Sequence, residues 1–343
     1  MRKNTDYEIH VAYCCSDLFS EVCAVSIISL FENNKDIDSI TVYILEDEIS
    51  EVNRERLLSL ARDRNRRIVF IPMPKPDVFY NDPRFTFDSV GRTYGRMIWG
   101  DVLPAEIHKV LSLDCDTMVL GSIKGLWDYD LGGCPIAGVD DCMGRVALVK
   151  TQHLNPDSVQ CNAGMYIIDL DTWRKEGWTE IFCDHIKSLF DKGVKLGGYE
   201  EEVITHSLCD RFCVLPPQYN TMTLEQVMTY KELIGFRQPI SYYSEEEIRN
   251  AVEHPVITHT TNFFYIQKRV FEENSDHPQR ENYVRYRNMT PWKDDPPMNA
   301  SYSVRHRIIK KFWHCMPRGL SFALAGFVRN EIRPLLNKKR DDI

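Results

Sequence analysis

The sequence predicts an α/β fold. Three observations carry that prediction: short apolar runs rich in branched residues, helix-period segments alternating with them, and 43% apolar and 27% charged residues over 343 positions. That length supports a substantial core. Alternation of this kind builds a sheet covered by helices, with ligand-binding loops beyond the carboxyl ends of the strands.

The elements follow in order. IHVAYCC at 9–15 reads as a buried strand, and SDLFSEV turns into a helix carrying Val22, Val25, Ile28 and Leu30 that ends near FENNKD. TVYILED at 41–47 is a second strand, EVNRERLLSLARDR at 51–64 a helix with an apolar stripe, and IVFIP at 68–72 a third strand. The Pro/Asp/Phe-rich run from Pro72 to Phe87 reads as a loop or lid, and Arg92 to Trp99 as a short helix stopped by DVLP. HKVLSLDCDTMVL at 108–120 joins a core strand to an acidic turn and another apolar segment. After the strand-like IAGV comes a polar insertion to about residue 160. Strand patterning resumes from Ala163 to Leu170, residues 177–192 favour a helix, and EEEVITHSL with LPPQYN forms a pocket rim. Residues 221–253 suit an accessory helical lobe, followed by the strand-like PVITH at 255–259. The expected organisation is a catalytic domain over 1–270, a polar and aromatic cap or linker over 271–300, and a basic amphipathic helical extension over 301–343.

Charge excludes some functions. Forty-two basic against fifty acidic residues give −8, which offers no support for nucleic-acid binding. Residues 301–343 hold ten basic and three acidic side chains, so an acidic body ends in a basic tail. GLSFALAGFV at 319–328 adds apolar groups, which suits either an anionic membrane surface or packing on the protein itself. Eleven scattered cysteines without CxxC pairs read as reduced core residues. The opening MRKNTDYEIHVAY lacks a following apolar core, and no run reaches the roughly 18 apolar residues of a membrane span. The expectation is a cytoplasmic protein, with the inner face of the cytoplasmic membrane as its place of peripheral attachment.

LSLDCDTMV holds the strongest local chemical signal. In an extended segment Asp114 and Asp116 project to one side, anchored by Leu111, Leu113 and Val119. Two hard oxygen ligands favour Mg²⁺ or Mn²⁺. Asp-X-Asp is also common in plain solvated turns.

Taken with the start of the chain, CNAGMYIIDL at 161–170 and PVITH, this segment resembles the nucleotide-sugar glycosyltransferases of family 8, which include bacterial lipooligosaccharide galactosyltransferases and glycogenins. The resemblance runs through roughly residues 8–295. It implies a GT-A fold with a mixed central sheet, a UDP-glucose or UDP-galactose donor, Mn²⁺ (or Mg²⁺) and retention of anomeric configuration. Acceptors would be a cell-surface glycan or a lipid-linked oligosaccharide. A transferase acting on protein or soluble glycan, and a weakly catalytic sugar-nucleotide-binding assembly protein, are the alternatives.

Position by position, the resemblance places Cys14 at the small residue ending the first strand, with Ser16 and Asp17 near its donor-site carboxylate. Phe19 falls on the ring that stacks on uracil. Arg96, in TYGR, would face donor phosphate or sugar hydroxyls, and Asp140 or Asp141 the donor sugar. Asn162 matches an Asn-Ala-Gly segment whose amide can bridge two sugar oxygens. His259 would be the third metal ligand after Asp114 and Asp116. Where the family has glycine and lysine beyond that histidine, this chain has Asn262 and Tyr265, leaving Lys268 as the nearest lysine for phosphate. In GGYEEEVI, Glu200 would orient a sugar hydroxyl, Glu202 would brace its neighbours, and Glu201 stands where the family has glutamine near the reacting sugar face. An anionic Glu201 would stabilise or attack the anomeric centre, so Glu201→Gln would be expected to slow transfer more than it weakens UDP binding.

Overall fold

A computed structural model describes residues 7–62, 64–74, 93–142, 159–191, 199–208, 211–300 and 302–332. The strands are β1 (Glu8–Ser16), β2 (Ser39–Asp47), β3 (Arg66–Pro72), β4 (Lys109–Leu113), β5 (Thr117–Val119), β6 (Ile136–Asp140), β7 (Cys161–Asp169), β8 (Phe212–Val214), β9 (Thr221–Met222) and β10 (Ile257–His259). Seven of them form one sheet in the order β3-β2-β1-β4-β7-β6-β8. β3, β2, β1 and β4 run parallel, whereas β7 is antiparallel to both β4 and β6. The sheet is therefore mixed. Its inner strands are buried on both faces, with Val11, Tyr13 and Leu111 in one cluster and Ala12 and Val110 in the other, which is why they read as continuous apolar runs rather than alternating ones.

A second sheet of three short strands, β5-β10-β9, stands beside the first. The helix Ser20–Asn33 packs between the main sheet and β5. It is buried from Ser20 through Phe31, on all sides rather than along one stripe. Its polar residues are satisfied inside. The Ser26 hydroxyl lies 3.0 Å from the Tyr13 hydroxyl and 3.1 Å from that of Thr117, and Ser29 Oγ accepts from the Val119 N–H at 2.9 Å. Each of these serines would otherwise cost about 1–3 kcal/mol as an unpaired buried group.

Among the described residues the expected strands and helices are present, with three refinements. The helix expected over 51–64 closes at Ser59. Residues 93–98 form a 3₁₀ turn leading into the short helix Trp99–Val102. The 271–300 segment carries the helix Arg280–Arg287, whose Tyr283 and Tyr286 are buried against Val22, Val25 and Ile28. The lid expected through Phe87 lies outside the described residues from 75 onward, as do most of the polar insertion (143–158), the two glycines of GGYEEEVI, and the tail from 333.

The helices Tyr230–Arg237 and Glu245–Glu253 form the accessory lobe, each opened by a capping box, at Thr229/Glu232 and Ser244/Glu247. The C-terminal helix Arg318–Phe327 docks on the first of these. Phe322 joins the ring cluster of Phe263, Phe264 and Tyr265, and a side chain at Gly326 would meet the Phe236 backbone at 3.2 Å. Its other face, with Leu320, Leu324 and Phe327, is exposed, as are Val304, Ile308, Ile309 and Phe312 on the preceding helix Val304–Cys315. Thus one face of the extension packs on the protein. No helix among the described residues is long and apolar enough to cross a membrane.

Candidate functional site

The site forms where β4 leaves the main sheet. The Asp114 N–H makes a last rung to the Gly164 carbonyl at 2.9 Å, and the Thr117 N–H and hydroxyl then turn back onto the Asp114 carbonyl at 3.1 and 2.8 Å. This tight turn gathers both carboxylates on one side. β5 next joins the small sheet, pairing antiparallel with β10 so that Thr117 faces His259. The Thr260 N–H and hydroxyl extend that ladder onto the Asp116 carbonyl at 2.9 and 2.8 Å. The small sheet thereby carries His259 across 143 residues to Asp116. Its Nε2 lies 3.1 Å from Asp116 Oδ1 and 3.6 Å from Asp114 Oδ2, and one ligand atom from each of the three falls within 4.8 Å of the others.

Asn162 orients the imidazole. Its Oδ1 accepts from the Gly164 N–H at 3.0 Å and from Asn220 Nδ2 at 2.9 Å, so it is the oxygen that faces His259 Nδ1 at 2.9 Å. Nδ1 must then carry the proton, which leaves Nε2 aimed at the two carboxylates. Gly164 gives the ring its place, because a Cβ there would stand 2.1 Å from His259 Nδ1. Two carboxylate oxygens with one preoriented imidazole nitrogen make a donor set that fits Mn²⁺ well and Mg²⁺ less well.

Cations face this group. Buried Arg96 donates to Asp114 Oδ1 and the Ala163 carbonyl, and pairs with Glu200 Oε1 at 3.3 Å. Arg269 Nη2 donates to Asp116 Oδ2 at 2.9 Å. Burial raises the pKa of Asp116, but the charges of His259 and Arg269 outweigh it and hold the carboxyl at about 2. For His259, burial disfavours the cation while Asp116 and Asp114 favour it, and the net shift is upward.

The opposite end is acidic. Glu201 Oε1 accepts from the Ala163 N–H at 2.8 Å and from Asn162 Nδ2 at 3.2 Å. Burial and the charges of Asp141 and Glu200 push its pKa well up. Burial also raises Asp141, which faces Arg237 and Arg329 and shares a hydrogen bond with Asn162. Asp140, one residue earlier, accepts the Cys142 N–H at 3.2 Å. Two such acids close together cannot both ionise cheaply, which favours the protonated form of Glu201. The sequence reading assigns Glu201 an anionic role; desolvation and like charge, which a linear motif does not display, push against that form.

The site therefore brings together Asp114, Asp116, His259, Arg96, Asn162, Glu200, Glu201 and Asp141. Cys14 adjoins it: burial raises its thiol to about 12, and Arg96, Asp114 and Glu200 are its charged neighbours. Phe19 is half-buried against two hydrophobic clusters at the start of the helix Ser20–Asn33. Asp17 is engaged by Ser50 and Asn53. Lys268 is exposed and donates to the Glu273 carbonyl at 2.6 Å, away from the carboxylates. Its neighbour Arg269 reaches Asp116 instead. The side chain of Glu202 lies outside the described ones. Sequence reading assigned no role to Arg269 or Asn220; the KR pair was the only signal for the first, and the second was marked only as the end of the LPPQYN rim.

Comparison with known proteins agrees with this geometry. Residues 10–261 match the model of glycosyl transferase family 8. General stress protein A of Bacillus subtilis is 26% identical over 295 residues, spanning 85% of this chain and 96% of that protein. Among solved structures, the galactosyltransferase LgtC in complex with donor and acceptor sugar analogs superposes with a TM-score of 0.66 at 18% identity, covering 88% of this chain and all of LgtC. An active-site mutant of LgtC in which glutamate replaces glutamine superposes equally, at 19% identity. The LgtC likeness identifies the fold as GT-A, and the chain belongs to glycosyl transferase family 8.

Proposed function

We propose that this glycosyltransferase moves glucose or galactose from a UDP-sugar, with retention of configuration, to a cell-surface glycan or lipid-linked oligosaccharide at the inner face of the cytoplasmic membrane. The observation that carries the reading is the convergence of Asp114, Asp116 and the Asn162-oriented His259 beyond the carboxyl end of β4. A divalent ion held by these three would neutralise charge on the departing diphosphate. Arg269, beside Asp116, supplies the cation for diphosphate oxygens that the family resemblance had assigned to Lys268. Cys14 and Phe19 line the base end, as the resemblance implies.

At the sugar end, Glu201 is held through Oε1, so its second oxygen carries the proton as a hydrogen-bond donor. A protonated carboxyl offers the donor and acceptor pair that a glutamine offers. Glu200 and Asp141 fix the remaining polarity of this end, and Arg96 links it to Asp114. LgtC's galactosyl transfer on the same fold supports a hexose donor. For the membrane, the support is the exposed apolar face of the two C-terminal helices, flanked by Arg305, Arg307 and Lys311.

A panel of UDP-sugars tested with Mn²⁺ and bacterial glycolipid extract decides the reading. Acceptor-dependent UDP release with a new glycosylated product is the expected result. UDP binding without turnover of any donor would favour the sugar-nucleotide-binding assembly protein, and product on protein or soluble glycan alone would move the acceptor class.

A further inference from the structure

Among the described residues, two groups of three metal-ligating side chains come together. One is the Asp114, Asp116 and His259 site. The other is Cys15, Cys23 and Cys115, whose sulfurs all lie within 4.8 Å of one another. They arrive from three separate elements: the end of β1, the first turn of the helix Ser20–Asn33, and the turn between Asp114 and Asp116. All three are free thiols, 3%, 0% and 8% exposed.

Buried reduced cysteines usually act as small hydrophobes, and the other buried thiols of this chain fit that description. This trio differs in geometry. An ion bound to three thiolates at about 2.3 Å holds its sulfurs roughly 4 Å apart, so small side-chain adjustments bring these three into range. As thiols, Cys115 donates to the Cys14 carbonyl at 3.2 Å and Cys15 to the Ser16 carbonyl at 3.3 Å.

We propose that Cys15, Cys23 and Cys115 form a structural site for one thiophilic d¹⁰ ion, Zn²⁺ in the ordinary case, distinct from the hard-ligand site next to it. Binding forms three metal–sulfur bonds, and each thiol releases its proton to solvent. No oxidant or reductant is needed. Because Cys115 lies between Asp114 and Asp116, the ion ties the carboxylate turn to β1 and to the buried helix. The two sites sort their metals by softness: thiolates take zinc, and the carboxylates and imidazole take manganese.

The trio is buried, so loading is expected during folding, and the test uses full-length protein expressed with zinc and purified under reducing conditions. Metal analysis with zinc X-ray absorption reads the ligand set directly. The expected result is one zinc per chain with a sulfur shell near about 2.3 Å, against about 2.0–2.1 Å for nitrogen and oxygen ligands. Asp116→Asn should keep that shell, and Cys23→Ser should lose it. A purely nitrogen and oxygen shell, no retained zinc, or a sulfur shell that survives in Cys23→Ser would overturn the proposal. If Cys23→Ser fails to fold, the wild-type spectrum decides alone.

Discussion

The two ends of the candidate pocket solve opposite electrostatic problems. Around Asp114 and Asp116, two carboxylates meet Arg96, Arg269 and His259, and opposite charge holds Asp116 ionised despite burial. Around Glu201, carboxyls meet one another as well as cations, and burial plus like charge push its pKa well up. The first end suits a metal ion and a charged diphosphate. The second suits an uncharged hexose read by neutral donors and acceptors.

The largest effect expected from breaking this contrast comes from the charged end. Asp116→Asn removes one carboxylate of the proposed metal set and the partner of both His259 and Arg269. Metal assistance contributes several kcal/mol to a transition state, and about 1.36 kcal/mol is tenfold in rate. Steady-state donor turnover in Mn²⁺ should therefore fall by roughly a thousandfold or more, with the fold retained by circular dichroism. Next is Gly164→Ala, whose methyl would occupy the His259 ring position. Displacing the imidazole from Asn162 should weaken Mn²⁺ binding about 10–100-fold, the usual loss when an oriented ligand loses its outer partner. Calorimetric titration of Mn²⁺ with UDP present checks it.

The sugar end gives smaller, pH-dependent effects. Glu201→Gln keeps the donor and acceptor pair, so turnover near neutral pH should change by less than about tenfold. Glu201→Ala leaves the Ala163 N–H and an Asn162 N–H unpaired, at about 1–3 kcal/mol. The sign with pH follows from the raised pKa. Unfolded Glu201 ionises near its ordinary value and the folded group only well above it, so between the two the folded state holds the extra proton. Stability from this group therefore declines as pH rises through that window. If transfer uses the protonated form, activity is lost as pH passes the folded pKa. Activity profiles of wild type should show that alkaline loss, and Glu201→Gln should remove it. A profile unchanged by the substitution would detach the limb from Glu201.

The smallest effect on folding belongs to the C-terminal face. Leu324→Gln or Phe327→Gln should shift unfolding free energy by only about 0.5 kcal/mol while lowering partition onto anionic vesicles. Phe322→Ala removes a packed ring and should destabilise by about 3–5 kcal/mol. Equal vesicle partition of wild type and both glutamine variants would point away from a membrane role for that face.

Much of this was legible in one dimension. β1, β2, β4, β7 and β10 announced themselves as apolar runs, and Asp114, Asp116, Asn162 and His259 lay at their ends in family-like order. What stayed hidden depends on long-range pairing. Nothing local in PVITH says that β10 lies antiparallel to β5 with His259 opposite Thr117. The choice of Arg269 over Lys268 rests on which way a short irregular segment turns, and both residues carry the same charge. The raised pKa of Glu201 depends on burial and on Asp141, sixty residues earlier. Gly164 read correctly as a place for close approach, but the group that approaches is His259.

The central claim is that Asp114, Asp116 and His259 hold a divalent ion with the donor diphosphate. Electron paramagnetic resonance of Mn²⁺ titrated into chelator-treated protein with saturating UDP tests it most directly, because bound Mn²⁺ leaves the sharp aqueous signal. Wild type should take up one Mn²⁺ per chain, Asp114→Asn and Asp116→Asn almost none, and His259→Ala should bind it weakly. Undiminished Mn²⁺ uptake by the two asparagine variants would contradict the account.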